Sequence, residues 1–207
     1  MQGAAQNRRK MMFARTERLL LRPSWPEDAA ELHQAIADEG IVRNLARAPW
    51  PYAVDDAAQF VAQAHDALYP AFLLMLRTHG APRIIGACGI GNYDGNAELG
   101  YWIARPYWGL GFATEASRAV LHIAKTIGHA KLIASHFTDN PVSGNVLRKL
   151  GFQNTGKTAQ RHSNGRGEAI TCALYEKALD GAGTESSARL SPPALNMRAQ
   201  MERLQAA

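Results

Sequence analysis

The stretch Trp102–Ala116, which reads WIARPYWGLGFATEA, places small residues where a predicted strand gives way to a helix. The run of strand-forming residues ends at Pro106, and Gly109, Gly111 and Ala113 then alternate with larger residues. Glycines let a backbone approach a ligand closely, and a helix N-terminus offers free amides and the positive end of a dipole. The pattern therefore predicts an anion-binding turn for a dinucleotide, a nucleoside triphosphate or the pyrophosphate of coenzyme A.

Two of these three ligands have sequence requirements that this turn does not meet. A nucleoside triphosphate loop needs a lysine and a serine or threonine after its last glycine, whereas Phe112 and Ala113 stand there. A dinucleotide fingerprint belongs to a parallel strand–helix–strand unit that opens the fold, whereas this turn follows a predicted antiparallel meander. What remains is a general anion site made by the backbone amides of residues 109–114.

The composition of the 207-residue chain is that of one globular domain, with 46% hydrophobic and 20% charged residues. No apolar run approaches the roughly 20 residues of a membrane-spanning helix. The net charge of +5 is spread along the chain without a sustained basic run, which disfavours nucleic acid as a partner. The two cysteines lie far apart and form no metal-binding spacing, so we predict no metal and a cytoplasmic location.

The chain divides into three predicted segments. Residues 1–14 form a polar leader, residues 15–180 form the folded domain, and residues 181–207 form a linker and a C-terminal tail that could contain a short helix. A first strand in TERLLLRP is expected to end at Pro23, because proline cannot donate a hydrogen bond to a sheet.

Two helices are predicted after this strand. Ser24 and Glu27 stand at the spacing of a capping box, which would start a helix that runs to Ala37. Asp55 is predicted to cap a second helix over VDDAAQFVAQAHDAL.

The second half of the domain begins with a meander of three antiparallel strands, whose second turn has Asp94 and Gly95 at its centre. A helix from about Gly111 to Ile127 follows, with Gly128 as its C-cap. A strand in AKLIASHF, a helix in PVSGNVLRKL and two final strands complete the domain. This order predicts an α/β (α+β) fold, with one mixed, mostly antiparallel sheet flanked by helices.

Three motifs in the correct order, AELGYWIARP, YWGLGFATEA and DNPVSGNVLRKLGF, resemble the GCN5-related N-acetyltransferase (GNAT) superfamily. Within it, the chain is most similar to the RimJ/RimL-like branch, which acetylates the N-terminal amines of ribosomal proteins. The resemblance covers roughly Arg15–Lys177. It implies the GNAT acyl-CoA acyltransferase fold, acetyl-CoA as cosubstrate, and direct acetyl transfer to a primary amine on a protein N-terminus or a small molecule.

The resemblance also implies where acetyl-CoA binds. The last two small positions of the family motif Gln/Arg-x-x-Gly-x-Gly/Ala fall on Gly111 and Ala113, and Trp108 occupies the Gln/Arg position. In this family pantetheine lies between two diverging strands, a free amide near Ile103 polarises the thioester, and a bulky residue at Gly111 would collide with pyrophosphate. The implied cofactor-binding residues are Trp102, Ile103, Ala104, Trp108, Gly109, Leu110, Gly111, Phe112, Ala113, Thr114, Asn140 and Asn145.

Two catalytic residues follow from the resemblance. Many family members carry a tyrosine where this chain has Leu147, whereas the RimJ/RimL-like branch uses a serine in N-x-x-S, which here is Ser143 of NPVS. Ser143 is thus the implied proton donor to the departing thiolate, with a helix cap as its alternative role. Glu98 matches the strand position of the catalytic glutamate in histone-acetylating relatives and is the candidate base, with an ion pair to an arginine as its alternative role.

The acceptor side is expected in the segments RNLARAPWPYAV, GNYDGN and QRHSNGRGE. Trp50, Tyr52, Asn92 and Tyr93 are the candidate acceptor-binding residues, and packing is the alternative role for Trp50 and Tyr52. Two other classes of function stay open, a non-catalytic acyl-CoA-binding regulatory module and an interaction protein that docks on the ribosome. Relatives commonly dimerise, so the resemblance also allows a homodimer.

Overall fold

The computed structural model describes residues 12–63, 66–77 and 80–179 of the chain. Its strands are β1 (Ala14–Arg15), β2 (Leu19–Arg22), β3 (Ala71–Leu76), β4 (Arg83–Tyr93), β5 (Asn96–Ile103), β6 (Lys131–Phe137), β7 (Gln153–Ser163) and β8 (Glu168–Ala178). They form one eight-stranded sheet in the order β1-β2-β3-β4-β5-β6-β8-β7. Every neighbouring pair is antiparallel except β5 and β6, which are parallel.

The helices of the described residues are α1 (Ala29–Ile36), α2 (Glu39–Val42), α3 (Val54–Ala62), α4 (Phe112–Thr126) and α5 (Pro141–Lys149). The predicted mixed, mostly antiparallel sheet flanked by helices is confirmed, and β1 and α2 are additions to the predicted order. β1 begins at Ala14, the last residue of the predicted leader. The rest of that leader up to residue 11, and the predicted C-terminal tail, lie outside the described residues.

Two apolar cores hold the helices against the sheet. One includes Leu99 of β5, Val120 of α4 and Leu147 of α5, and the other includes Leu32 of α1 and Leu73 of β3. All five side chains are at most 3% exposed, and each contributes about 1.5–3 kcal/mol to folding through removal from water. Among the described residues, none of the helices combines the length and the apolar character needed to cross a membrane.

The predicted start of the first helix is wrong in detail. The Asp28 carboxylate, not Glu27, accepts the backbone N–H of Trp25 at 2.7 Å, and α1 follows a 3₁₀ turn over Pro26–Asp28. The Ser24 hydroxyl instead donates to the carbonyl of Val61 at 3.4 Å. A tertiary partner has therefore taken the side chain that the local pattern assigned to the cap.

The predicted cap of the second helix is wrong, because the N-cap residue is Ala53, two residues before Asp55. α3 begins at Val54, and the carboxylate that accepts the Ala53 N–H at 2.8 Å belongs to Asp56, not Asp55. The helix ends at Ala62, which is shorter than the predicted segment, whose residues 64–65 lie outside the described chain.

The turns that depend on glycine agree with the sequence. Asp94 and Gly95 have φ angles of +48° and +78° at the tip of the β4–β5 hairpin, as a tight primed turn requires. Gly128 follows α4 with a φ angle of +99°. In contrast, β7 continues to Ser163, so much of the predicted acceptor segment QRHSNGRGE is strand.

β5 and β6 are the strands that position the site. They share a single register pair, Glu98 with Ile133. Beyond this pair, a cavity lies between the following residues of the two strands, including Gly100 of β5 and Ser135 of β6. The two parallel strands therefore open into a cleft in the middle of the sheet.

Candidate active site

The turn that leads into α4 has the geometry of an anion site. Gly109 and Gly111 have φ angles of +75° and +84°, and Gly111 is the N-cap residue. The amide of Glu115 donates to the Gly111 carbonyl at 3.0 Å, which starts the helical ladder. The amides of the first helical turn, Phe112–Thr114, have no partner within the helix and point out of its N-terminus.

Backbone conformation is one reason for glycine at position 111. A Cβ there would have its nearest neighbour, the Arg18 Nη2 atom, at 3.7 Å, so the protein itself leaves room for a side chain. The left-handed φ angle nevertheless disfavours every residue with a Cβ. A substitution at Gly111 therefore strains the turn as well as crowding a bound anion.

Glu115 fastens this turn to the sheet. Its Oε1 atom accepts the Thr16 hydroxyl at 2.6 Å and the Arg18 amide at 2.9 Å, and its Oε2 atom accepts the Arg18 Nε–H at 2.7 Å. Burial alone would raise the pKa of Glu115, but these hydrogen bonds hold that pKa below its ordinary value. The Arg18 guanidinium also lies 4.2 Å from the centre of the Phe112 ring. The N-terminus of α4 is therefore rigidly placed.

Trp108, at the Gln/Arg position of the family motif, braces the end of β5. Its indole N–H donates to the Ile103 carbonyl at 2.6 Å, and the Arg105 guanidinium lies 4.4 Å from its ring centre. The Ala104 amide donates to Ile85 of β4 at 2.8 Å. Because peptide groups alternate along a strand, the amide of Ile103 points to the other side, toward the cleft.

Several of the predicted cofactor-binding residues can offer only their backbone. The side chains of Ile103, Ala104 and Phe112 are at most 8% exposed, and that of Trp102 packs against the core that includes α1. Leu110 is 55% exposed beside the glycines. The anion site is accordingly a backbone site.

A cavity of about 160 Å³ lies in the cleft between β5 and β6. α5 and residues 44–46 contribute further walls. The cavity brings together polar groups from widely separated parts of the sequence, including Glu98, Tyr101, Ser135, Asn140, Ser143, Arg161 and Cys172. Burial raises the pKa of the Cys172 thiol, so this group is a neutral part of the wall at neutral pH.

Ser143 and Tyr101 form a hydroxyl pair on one wall of the cavity. The two hydroxyl oxygens are 2.8 Å apart, and the Tyr101 hydroxyl can also donate to the Ser143 carbonyl at 3.1 Å. Burial raises the pKa of Tyr101 to about 12, so its hydroxyl stays protonated at neutral pH. Asn140 caps α5 by accepting the Ser143 amide at 3.4 Å, and Leu147 is a core residue at 1% exposure. A tyrosine hydroxyl thus reaches the cavity from β5 rather than from α5.

Glu98 and Arg161 form an ion pair on another wall. The Arg161 Nη1 atom is 2.5 Å from Glu98 Oε1, and the two side chains are 9% and 18% exposed respectively. Ser135 donates its hydroxyl to the same oxygen at 3.1 Å, and the Arg161 guanidinium stacks 3.7 Å from the centre of the Tyr93 ring. Both contacts to Glu98 fall on Oε1, which leaves Oε2 as the oxygen that a substrate amine can approach.

Of the four candidate acceptor-binding residues, Tyr93 is the one whose position beside the cavity is established, through its contact with Arg161. Tyr52 is 7% exposed and packs in the core that includes α1, which agrees with its alternative role in packing, and an acceptor contact stays a prediction. Asn92 accepts the Gly95 amide at 2.9 Å within the β4–β5 turn. Trp50 is 40% exposed and remains a prediction.

Asn145, predicted to assist at the cofactor, is exposed on α5. Its side-chain oxygen accepts a hydrogen bond from Arg148 one turn later on the same helix. The structure shows this one contact for the side-chain carbonyl of Asn145. A role of Asn145 at the cofactor stays a prediction.

The tip of the β7–β8 hairpin is hydrogen-bonded to the segment 43–46, of which residues 44–46 line the cavity. Ser163 donates its hydroxyl to the Leu45 carbonyl at 3.1 Å, and the Asn164 amide donates to the Ala46 carbonyl at 2.9 Å. Arg166 donates to the Arg43 carbonyl at 2.7 Å. The hairpin therefore holds residues 43–46 in place at the cavity.

Sequence reasoning missed Tyr101 and Ser135, and it covered Arg161 only as part of the segment QRHSNGRGE, without singling it out. A usable signal existed for Tyr101, because strand alternation places it on the same face as the buried Leu99 and Ile103, where a hydroxyl needs a partner. Nothing local marks Arg161, which is one polar residue in the polar strand β7.

Comparison with known proteins places these features in a family. Residues 18–153 match the family described as Acetyltransferase (GNAT) domain. The chain is 30% identical to the Uncharacterized N-acetyltransferase p20 of Bacillus licheniformis over 149 residues, which cover 68% of this chain and 82% of that protein.

Solved structures share the fold. An acetyltransferase (GNAT family) from Bacillus anthracis superposes with a TM-score of 0.69 at 25% identity, covering 81% of this chain and 99% of the other. RimL, the ribosomal L7/L12 alpha-N-protein acetyltransferase, superposes with a TM-score of 0.67 at 17% identity, covering 81% and 98% of the two chains. The chain therefore belongs to the GNAT acetyltransferase family and is an acyltransferase.

Proposed function

We propose that the protein moves the acetyl group of acetyl-CoA to a primary amine by direct attack of the amine on the thioester. One observation carries this proposal. The unpaired amides at the start of α4 follow β5 after the turn over residues 104–111, and β5 itself supplies Glu98 and Tyr101 to the cavity. One stretch of chain therefore carries both a candidate proton-transfer site, on the strand, and a candidate anion site, at the start of the next helix.

The residues present fit coenzyme A. The amides of Phe112–Thr114 offer hydrogen bonds to its pyrophosphate. A groove of about 400 Å³ beside them is lined by the carboxylates Glu17 and Glu115 and by three cations, Arg18, Arg118 and Lys149. Arg18 is paired with Glu115, so Arg118 and Lys149 are the cations that suit further phosphate. A microcin C7 self-immunity acetyltransferase, MccE, which has the same fold at 19% identity and a TM-score of 0.65, was solved with acetyl-CoA and AMP. Bound acetyl-CoA would supply the thioester carbon that the amine attacks.

Three groups of the chain have roles in the transfer. Glu98 takes the proton of the amine at Oε2, which is the oxygen without a contact from Ser135 or Arg161. The amide of Ile103 points into the cleft and donates to the developing oxyanion. Ser143 donates its hydroxyl proton to the leaving thiolate.

Tyr101 orients that donor. Its hydroxyl stays protonated and lies 2.8 Å from the Ser143 hydroxyl, so it fixes the direction in which Ser143 can donate. Ser143 is also the third residue of α5, where the helix dipole favours negative charge on a thiolate. Tyr101 is therefore a positioning residue, and Ser143 is the residue that meets the leaving group.

Two classes of acceptor fit this chemistry, a protein N-terminus and a small amine. The name of RimL supports the first, because that protein acts on the α-amine of a ribosomal protein. The RimJ/RimL-like resemblance extends the same support to this chain. The cytoplasmic location and the homodimer stay predictions.

Titration calorimetry with acetyl-CoA, followed by a thiol-release assay with pooled amines, amino acids and peptides, tests the proposal. Binding with release supports it. Binding without release for every acceptor favours the non-catalytic acyl-CoA module instead. Failure of acetyl-CoA to bind refutes it, and salt-sensitive binding to ribosomes would then favour the interaction protein.

A matched pair of variants locates the anion site. Gly111→Ala and Gly128→Ala each place a Cβ at a positive φ angle, at opposite ends of α4, so each costs about 1–2 kcal/mol of stability. Only Gly111→Ala displaces the amides that face the pyrophosphate, so its affinity for acetyl-CoA should fall roughly tenfold. Equal affinities in the two variants would contradict the assignment of the turn.

A further inference from the structure

The guanidinium of Arg161 carries a buried donor that the protein does not satisfy. The side chain is 9% exposed, and its Nη1 atom is occupied by Glu98. Its Nε atom is buried and has no hydrogen-bond partner among the described residues. Buried donors are nearly always paired. Arg161 lines the cavity, so a ligand that draws the side chain toward the cavity can supply the missing partner.

A second buried guanidinium in the fold, that of Arg22, makes more hydrogen bonds. Arg22 gives two hydrogen bonds to the Asp28 carboxylate, at 2.7 and 2.6 Å, and a third to the Pro23 carbonyl at 3.0 Å. Its side chain is as buried as that of Arg161, and none of its nitrogens is left as a buried orphan. The unpaired nitrogen of Arg161 is therefore a property of the cavity and not of buried arginines in this fold.

The charges on the wall determine what kind of ligand fits. Glu98 and Arg161 neutralise each other, so an acceptor with an unbalanced charge would leave that charge in a poorly hydrated site. A ligand with an ammonium group and a carboxylate adds no net charge. Its ammonium group can lie at Glu98 Oε2 and its carboxylate at Arg161 Nε, which gives four charges of alternating sign.

The size of the cavity also favours a small molecule. Its volume is about 160 Å³, which is below the range of drug-sized pockets. Leu45 and Ala46 line it and are held by hydrogen bonds to Ser163 and Asn164. A cavity of this size suits a free amino acid, whereas a polypeptide could place only its first residue there.

We propose that the acceptor is a free amino acid, whose carboxylate binds Arg161 at Nε and whose amine lies at Glu98. This inference rests on the proposed acetyl transfer and names the substrate class of the same site. Arg161 is then a specificity-determining residue, because a plain alkyl amine or a peptide cannot place a carboxylate on its Nε atom.

The test uses sets of acceptors that share one side chain and differ in the group next to the amine. One set is leucine, leucinamide, leucylglycine and 3-methylbutylamine, and matching sets for alanine, serine and phenylalanine cover small, polar and aromatic side chains. Thiol release from acetyl-CoA gives kcat/KM for each compound. For the side chain that is used best, the wild-type protein should prefer the free amino acid to its amide and its alkyl amine by about 10- to 100-fold.

Two variants separate recognition from folding. Arg161→Lys keeps a cation for Glu98 but lacks the Nε donor, so the ratio of kcat/KM for the free amino acid to that for the alkyl amine should fall to within a few-fold. Arg22→Lys makes the same change in the other buried ion pair and should lower stability without altering the preference. Calorimetric titration of the same compounds against protein saturated with coenzyme A provides a second readout.

The outcomes distinguish the inference from the function on which it rests. Preference for the free amino acid, lost in Arg161→Lys, supports the inference. Release that is equally fast with the alkyl amine, or faster with the amide or the peptide, overturns it and leaves the transferase standing. The inference is also overturned if no free amino acid binds or supports thiol release. Failure of acetyl-CoA to bind is a separate result, which refutes the proposed function itself.

Discussion

Arg22 and Arg161 are both buried arginines that pair with a carboxylate, at 2.6 Å with Asp28 and at 2.5 Å with Glu98. In the first pair, Arg22 also donates to the Pro23 carbonyl, and Asp28 also accepts the Trp25 amide. Around the second, the Arg161 Nε atom is the one buried side-chain polar atom without a partner among the described residues. We call Arg22–Asp28 the closed pair, because none of its nitrogens is buried without a partner, and Arg161–Glu98 the open pair, because its Nε atom is.

The difference shows what each pair does. A buried ion pair in which both carboxylate oxygens accept from the guanidinium ties structural elements together, and here Arg22 of β2 holds the 3₁₀ turn that precedes α1. A buried pair with a donor left over on a cavity wall costs stability, which a ligand can recover. The contrast predicts a large effect on folding at Asp28 and a large effect on activity at Glu98.

Loss of the closed pair should have the largest effect. Asp28→Asn leaves the buried Arg22 cation without its anion, so the free energy of unfolding should fall by about 3–5 kcal/mol in urea denaturation. Glu176→Gln is the control, because its pair with Lys131 is about half exposed and should be worth at most about 1 kcal/mol. Similar losses in the two variants would contradict the structural role of the closed pair.

Loss of the open pair should affect turnover first. Glu98→Gln removes the proposed base, so kcat for acetyl transfer should fall by about 10²- to 10⁴-fold. The loss of unfolding free energy should be smaller than for Asp28→Asn, because the pair is less completely bonded. Glu176→Gln again controls for the change in net charge. Full activity of Glu98→Gln would leave Glu98 as only the charge partner of Arg161.

The hydroxyl pair should matter less than Glu98. A thiolate is a good leaving group, so Ser143→Ala should lower kcat by only about 10- to 100-fold. Tyr101→Phe keeps the shape of the ring and removes the orienting hydroxyl, so kcat should fall by no more than about tenfold. Ser117→Ala is the control, because this buried serine also gives up a hydroxyl and is not among the residues that line the cavity. A loss in Tyr101→Phe greater than in Ser143→Ala would make Tyr101 the proton donor.

The smallest effect concerns pH. Burial would raise the pKa of Asp28, but hydrogen bonds from Arg22 and Trp25 hold it below its ordinary value. A lowered folded-state pKa gives stability that is present above the unfolded pKa and lost as pH falls through the folded pKa. The stability gap between wild type and Asp28→Asn should therefore be full at about pH 5 and narrow toward about pH 2. A gap that is constant over this range in urea titrations would contradict the assignment.

Local sequence was enough for the features that depend on backbone geometry. Gly111 at the start of α4 and Gly128 at its end both have positive φ angles, which few residues other than glycine adopt. The order of strands and helices followed from periodicity, and the fold class and the turn with its free amides could therefore be predicted. Each of these features is decided by residues within about one turn of each other.

Caps were less predictable because several side chains compete for each one. Ser24 and Glu27 had the right spacing, but Asp28 took the amide of Trp25 and Ser24 turned to Val61, 37 residues away. The spacing permits a cap, whereas the packing of α3 against α1 decides which side chain is available.

The sequence by itself determined the fold, the family and the glycine turn that leads into α4, and the tertiary structure decided how the walls of the cavity are built. Arg161 meets Glu98 across 63 residues, and Tyr101 meets Ser143 across 42. Such pairs depend on the register of β6, β7 and β8 and on where α5 crosses them. No local pattern encodes that register, because it is fixed by the whole sheet and both of its cores, and so the orphaned donor of Arg161 became visible only in the folded chain.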